Sequence, residues 1–250
     1  MGAAWLTTWH PVPALPPVLL CLPPAGAGCG HFQSWQTELG DGVSVVGVQL
    51  PGREGRWAEP EPDSIDEAVA AVVTELAELV PSRHPVVVFG HSFGGLLGYE
   101  IARSLAREHG WWPRALVVAA CRPPGMWIGA GRGLIEDDGE LTRLFDARGL
   151  SAEDMDEDTR ELMLGALRQD ARLSLTYTGT VPRAVDCALE AWGGEHDEIA
   201  SAEHLTGWGA YAGGQFRTRT FPGGHYFCLA EPAAALELLG FMVSEPAGNW

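Results

Sequence analysis

Four short apolar runs punctuate the first half of the chain: Pro17 to Leu22, Val43 to Leu50, Pro85 to Phe89 and Ala115 to Cys121, each ending at Gly, Pro or a turn cluster. Runs that are apolar at every position, instead of alternating, predict strands buried on both faces, as in a parallel sheet. Between them the period becomes helical. Ser64 stands three residues before Glu67, the spacing of a capping box, and Ile65, Ala68, Val69, Val72, Val73, Leu76 and Val80 then recur on one face. A second helix is predicted after Ser92, through Leu96, Leu97, Ile101, Ala102 and Leu105, ending near Gly110. This alternation predicts an α/β class chain with a mostly parallel, doubly wound sheet. Right-handed crossovers then bring the C-terminal strand ends to one edge, where a site should lie.

Between Pro124 and Pro182 the rhythm shifts to Gly-rich and acidic stretches, followed by helical patterns at Leu141, Leu144 and Phe145 and then at Leu162, Leu164, Leu167, Ala171 and Leu175. Residues 125–182 are therefore expected to form a helical insertion within a single domain spanning 1–250. Two more strands, Val185 to Trp192 and Phe216 to Phe221, and a last helix from Pro232 to Val243 are predicted to complete it.

Composition narrows the function. The 250 residues are 46% hydrophobic and 20% charged, which is ordinary for a folded domain. Sixteen basic residues, all of them Arg, face 33 acidic ones, for a net charge of −17. A nucleic-acid binder needs a basic stripe, and an anionic membrane surface would repel this chain, so neither partner is expected. Five cysteines without a C-x-x-C pair fit neither a disulfide framework nor a zinc module, and no metal site is expected. Residues 1–37 carry no charge, but six prolines between Pro11 and Pro24 break any apolar leader helix, and a cytoplasmic protein is expected.

Gly90-His91-Ser92-Phe93-Gly94-Gly95 follows the third run and opens the next helix. It fits G-x-S-x-G, in which small residues flank a serine thrust out of a strand-to-helix corner. The pattern alone is weak in a Gly-rich chain. Its position at a βα junction, with a helix N-terminus behind it, is what points to a nucleophile and not to a capping serine in a turn. A serine needs a base and a group to orient that base. In α/β-hydrolases the acid and then the histidine follow the serine in the chain. His225, in Phe221-Pro222-Gly223-Gly224-His225-Tyr226-Phe227, lies just past the last predicted strand and is the candidate general base. For the acid, the loop after Cys121 offers only Arg122-Pro123-Pro124, whereas Gly193-Gly194-Glu195-His196-Asp197-Glu198 follows the next strand. Asp197 is preferred over Glu195 and Glu198, since a short carboxylate just past the turn can take the imidazole Nδ1 proton. The oxyanion donors are expected to be the backbone N–H of Phe93 and of Ala25, the residue after Pro23-Pro24, which have no N–H to give. A phosphate loop is set aside there, because G-x-G-x-x-G and the Walker lysine are both missing.

Taken together, Cys21-Leu22-Pro23-Pro24-Ala25-Gly26, Val48-Gln49-Leu50-Pro51-Gly52-Arg53-Glu54, the serine corner, Leu167-Arg168-Gln169-Asp170 ahead of Tyr177, and Gly223-Gly224-His225 resemble the type II thioesterases, the editing hydrolases of polyketide and non-ribosomal peptide synthesis. The resemblance runs from about Leu19 to Leu239. It departs at Pro24 and Ala27, where the family often has His and Gly. It implies an α/β-hydrolase fold with a helical lid over an acyl chamber, an acyl-serine intermediate on Ser92, and no cofactor. It also implies a substrate thioester borne on the phosphopantetheine of an acyl or peptidyl carrier protein, met transiently by a monomer. Arg53, Arg56 and Arg122 are candidates to meet the arm's phosphate, each equally readable as a structural Arg. A small-molecule carboxylesterase, an acyltransferase and a non-catalytic acyl-binding module remain alternative readings.

Overall fold

Each strand at the centre of the sheet is buried along its whole length, which explains why the sequence shows unbroken apolar runs there. In the computed structural model, which describes residues 4–9, 16–137, 139, 157–179 and 181–245, seven strands form one sheet. They are β1 (Leu6–Thr8), β2 (Val18–Leu22), β3 (Ser44–Val48), β4 (Val86–His91), β5 (Ala115–Ala119), β6 (Ala188–Gly194) and β7 (Phe216–Phe221). Their order across the sheet is β1-β3-β2-β4-β5-β6-β7, and every pairing is parallel except β1 with β3. In β2, Val18, Leu20 and Leu22 face one core while Leu19 and Cys21 face another. Helices α1 (Gln33–Leu39), α2 (Ile65–Leu79), α3 (Phe93–His109), α4 (Arg132–Glu136), α5 (Glu157–Leu175), α6 (Ala202–Gly207), α7 (Phe227–Ala230) and α8 (Ala233–Ser244) accompany the strands. The core on the Val18 side includes the buried faces of α2 and α3, and that on the Leu19 side takes Trp35 of α1 and Leu236, Leu239 and Met242 of α8. These are the two covered faces of a doubly wound α/β sheet.

The expected elements are present with shifted ends. The α2 stripe is buried as predicted, and Ser64 Oγ accepts the Glu67 N–H at 3.1 Å. The reciprocal bond of a capping box is displaced by one residue: Glu67 reaches back to the Asp63 N–H at 2.7 Å. β6 begins three residues later than predicted and runs on through Gly193 and Gly194, which carry no apolar signal. Val185 is left as an isolated bridge to Ala212. β1 was outside the expectations altogether. It is three residues long, and it is held from outside itself, by the Leu6–Val48 register with β3 and by Glu75 of α2, which accepts the Trp5 and Leu6 N–H at 2.6 and 3.2 Å.

The connection between β5 and β6 carries α4 and α5. The expected pattern at Leu141, Leu144 and Phe145 lies outside the described residues. On α5 the buried face is Ala166, Leu167, Asp170, Ala171, Leu173 and Ser174, so two members of the predicted stripe are corrected: Leu162 is 70% exposed and Leu175 37% exposed. Those two leucines lie off the buried face, where the helix also packs small and polar residues against its neighbours. Among the described residues no helix is long and apolar enough to cross a membrane.

Candidate active site

The serine corner begins where β4 ends. Ser92 adopts φ +52 and ψ −116, a left-handed conformation that costs on the order of 1–3 kcal/mol for a residue with a side chain. Two glycines make room for the turn. A Cβ on Gly90 would strike the Gly94 carbonyl oxygen, and one on Gly94 would strike the carbonyl oxygens of Leu22 and Pro23. The Ser92 N–H donates to Ala119 O at 2.8 Å, tying the corner to β5, and Phe93 opens α3. As the first helical residue, Phe93 has an N–H in the turn where no intrahelical acceptor exists.

Asp197 and His225 come from the loops after β6 and β7, and the backbone lashes those loops together. Glu195 N–H donates to Phe221 O at 2.8 Å and His196 N–H to Gly223 O at 2.9 Å, while Gly223 takes φ +109. A Cβ on Gly194 would strike the carbonyl oxygens of Gly223 and Gly224, so the close approach requires glycine there. The consequence is a relay. His225 Nε2 lies 3.1 Å from Ser92 Oγ, and His225 Nδ1 lies 3.0 and 2.9 Å from Asp197 Oδ1 and Oδ2. His225 and Asp197 are buried, whereas Glu195 and Glu198 are exposed. Asp197 Oδ1 also accepts the Ile199 and Ala200 N–H at 2.8 and 2.9 Å. Burial alone would raise its pKa; the hydrogen bond and charge of His225 and the two amides outweigh burial and hold the carboxyl below its ordinary value. The His91 ring supports the imidazole from the side, edge-on to His225 at 5.4 Å and stacked on Tyr226 at 5.3 Å.

Ala25 sits in a tight turn. The Ala27 N–H donates to Pro24 O at 3.1 Å and Gly26 has φ +70, the pattern of a type II turn with Ala25 at its second position. Ser92, His225, Phe93 and Ala25 share the wall of one cavity of about 660 Å³, whose far side is built by Trp127, Leu134, Leu167 and Ala171 of the β5–β6 connection. The structure thus brings Ser92, His225, Phe93 and Ala25, all predicted from the sequence, to one chamber, with the predicted Asp197 against His225 Nδ1. Among the described residues no cluster of side chains is suited to hold a metal ion.

The three arginines separate. Arg53 is buried in a bidentate pair with Asp170 at 2.6 and 2.7 Å. Arg56 is buried as well, paired with Glu59 at 2.7 Å, donating to Gln49 O at 2.7 Å and lying 4.6 Å from the Trp5 ring. Both are therefore structural and unavailable to a phosphate. Arg122 does line the cavity, its Nε donating to Ile199 O at 3.0 Å. The sequence gives no role to Asp170 beyond its place in the resembling motif. The available signal was a lone carboxylate between Leu167, Ala171 and Leu173 on the face that α5 buries.

The chain matches the thioesterase domain family over residues 17–242. It is 32% identical over 227 residues to the thioesterase PikA5 of Streptomyces venezuelae, covering 89% of this chain and 79% of that protein. Among solved structures, the RedJ thioesterase of the prodiginine pathway in Streptomyces coelicolor is 34% identical with a TM-score of 0.83, covering 92% of this chain and 91% of that one. The type II thioesterase BorB from the borrelidin cluster is 29% identical with a TM-score of 0.82, covering 96% and 97%.

Proposed function

Since the chain belongs to the thioesterase family and is a thioester hydrolase of α/β-hydrolase fold, we propose that it is an editing enzyme, releasing acyl groups from the phosphopantetheine arm of acyl or peptidyl carrier proteins. The observation that carries the proposal is the Ser92–His225–Asp197 relay opening into a chamber with an apolar far wall. Ser92 Oγ attacks the thioester carbon as His225 Nε2 takes its proton, and Asp197 accepts the Nδ1–H and stabilises the imidazolium. The tetrahedral oxyanion is met by the N–H of Phe93 and Ala25. Collapse breaks the carbon–sulfur bond. A thiol ionises far below an alcohol, so the departing group needs less acid assistance than an alcohol would. His225 then deprotonates a water that attacks the acyl-serine, and the acid leaves with Ser92 regenerated. Nucleophile, base and water complete the reaction, so no cofactor is assigned.

Two of the cited relatives come, by their names, from the prodiginine pathway and the borrelidin cluster, and the carrier protein proposed here is supported by that kinship. The protein is assigned as a cytoplasmic monomer that meets its carrier transiently; its five cysteines are all buried and unpaired with one another, as a reducing compartment favours. The test is intact-mass spectrometry of the protein mixed with a panel of acyl carriers. Loss of the acyl group from the carrier and a transient acyl adduct on wild type, absent in Ser92→Ala, are expected. Hydrolysis of oxygen esters with no turnover of carrier thioesters would refute the assignment.

The turn at Ala25 permits a clean check of the second oxyanion donor. Proline is favoured at the second position of a type II turn, so Ala25→Pro removes the N–H while the turn keeps its shape. A loss of about 10²–10³ in kcat is expected. Steady-state kinetics showing no loss in the folded variant would assign the donor elsewhere in the loop.

A further inference from the structure

The loop after β2 is held by side chains from two distant segments. From the block after β3, Gln49 Oε1 accepts the Cys29 N–H at 2.9 Å, Glu54 Oε1 accepts the Gly30 N–H at 3.1 Å, and Arg53 Nη1 donates to Ala27 O at 3.4 Å. From α5, Asp170 Oδ2 accepts the Gly26 N–H at 2.6 Å while the same carboxylate takes both arms of Arg53. Arg53 is 7% exposed and Asp170 2% exposed. A buried ion pair is a poor device for stability alone, since apolar residues of similar volume often serve as well or better. What an apolar residue cannot do is receive the Gly26 N–H and hold it in direction. Gly26 directly follows Ala25, and a Cβ on it would lie 3.1 Å from the Leu167 backbone, so loop and helix are in contact along this line.

We propose that Asp170 is a positioning residue for the oxyanion loop, fixing the Gly26 amide, and through the Ala25–Gly26 peptide the Ala25 N–H, so that seating α5 also aims the oxyanion hole. This inference rests on the roles given above to Ser92 and Ala25. It places control of the hole in the β5–β6 connection, the same segment that walls the acyl chamber. The effect of losing Asp170 therefore falls on kcat, even for an acyl group too short to reach the chamber's far wall.

The experiment uses the full chain and the N-acetylcysteamine thioester of acetic acid. Asp170→Asn is expected to lower kcat by about 100-fold, the scale of an ångström-sized misplacement, with KM near the wild-type value. The rate at which an alkyl fluorophosphonate labels Ser92 should fall in parallel, because that reaction also develops an oxyanion in the hole. Val73→Ala, which removes buried packing from α2 and leaves α5 intact, should lower Tm and leave kcat near wild type. A folded Asp170→Asn with normal kcat and a lower Tm, or with only a raised KM, overturns the proposal. If Asp170→Asn does not fold, Asp170→Glu keeps the charge and shifts the carboxylate by one methylene; the same fall in kcat is expected, and an unchanged kcat overturns it. Ser92→Ala separates the two levels. Hydrolysis by wild type but not by Ser92→Ala leaves the thioesterase assignment standing whatever Asp170 does, and a wild type that neither hydrolyses nor labels removes both.

Discussion

Ser92→Ala is expected to lower kcat on a carrier-bound acyl thioester by on the order of 10⁶-fold, the scale seen when a hydrolase loses its nucleophile. The hydroxyl lies 3.1 Å from His225 Nε2, and alanine there leaves no oxygen to acylate. Stability should hardly change. The substitution removes one hydrogen bond, worth about 1 kcal/mol, and the positive φ is no more strained for alanine than for serine. His225→Ala should cost a similar factor, and the double variant little more than either single one, because the two groups act as a unit. Stopped assays with long incubation at high enzyme concentration measure the residual rate. Retention of even a thousandth of wild-type turnover in Ser92→Ala, with contamination excluded by an untagged-host control, would mean the acyl group never resides on that oxygen.

Asp197→Asn is expected to lower kcat by about 10⁴-fold, and the geometry explains why so small a change should matter so much. Oδ1 of Asp197 accepts two backbone N–H groups, from Ile199 and Ala200, so an asparagine there keeps its oxygen on those amides and puts its NH₂ in the place of Oδ2, 2.9 Å from His225 Nδ1. An imidazole that accepts from this NH₂ at Nδ1 carries its proton on Nε2, where it cannot take the proton of Ser92. Glu195→Gln, at an exposed position, should leave turnover near wild type. Stability supplies an independent reading. The folded pKa of Asp197 is below its unfolded value of about 3.9, so its contribution is fully present above that value and is lost as pH falls through the folded pKa. Denaturant midpoints should therefore show wild type more stable than Asp197→Asn at neutral pH, with the gap closing in acid. An equal gap at both pH values would show that the carboxylate charge is not what the His225 contact uses.

Much of the site was legible because its parts are local. A nucleophile corner needs a strand, two small residues and a helix within a dozen positions, and Gly90 to Gly95 displays all three between an apolar run and a helical period. The histidine and the acid were legible through chain order and strand ends, yet Glu195, Asp197 and Glu198 differ by a residue or two. What separates them is the pair of backbone bonds from Glu195 and His196 to the β7 loop, which turn Asp197 inward and the glutamates out. Arg53 looked available for a phosphate because it follows a strand in a turn-rich block; its partner lies 117 residues away on a helix whose docking no local pattern reports.

The amino-acid order alone was enough for the α/β class, the strands of the central sheet, the rim on which chemistry would gather, and the serine and histidine that meet there. These follow from short-range causes: side-chain period, helix capping and the room that glycine leaves at a turn. The contacts that aim the site arose only when distant segments packed. The edge strand β1 exists because β3 and Glu75 offer it partners, β6 runs past its apolar run because glycines let two loops touch, and the Arg53–Asp170 pair joins a β-strand loop to the helix that walls the chamber. A hydrogen bond between residues more than a hundred positions apart depends on the whole intervening fold, and so leaves no periodic trace in either segment.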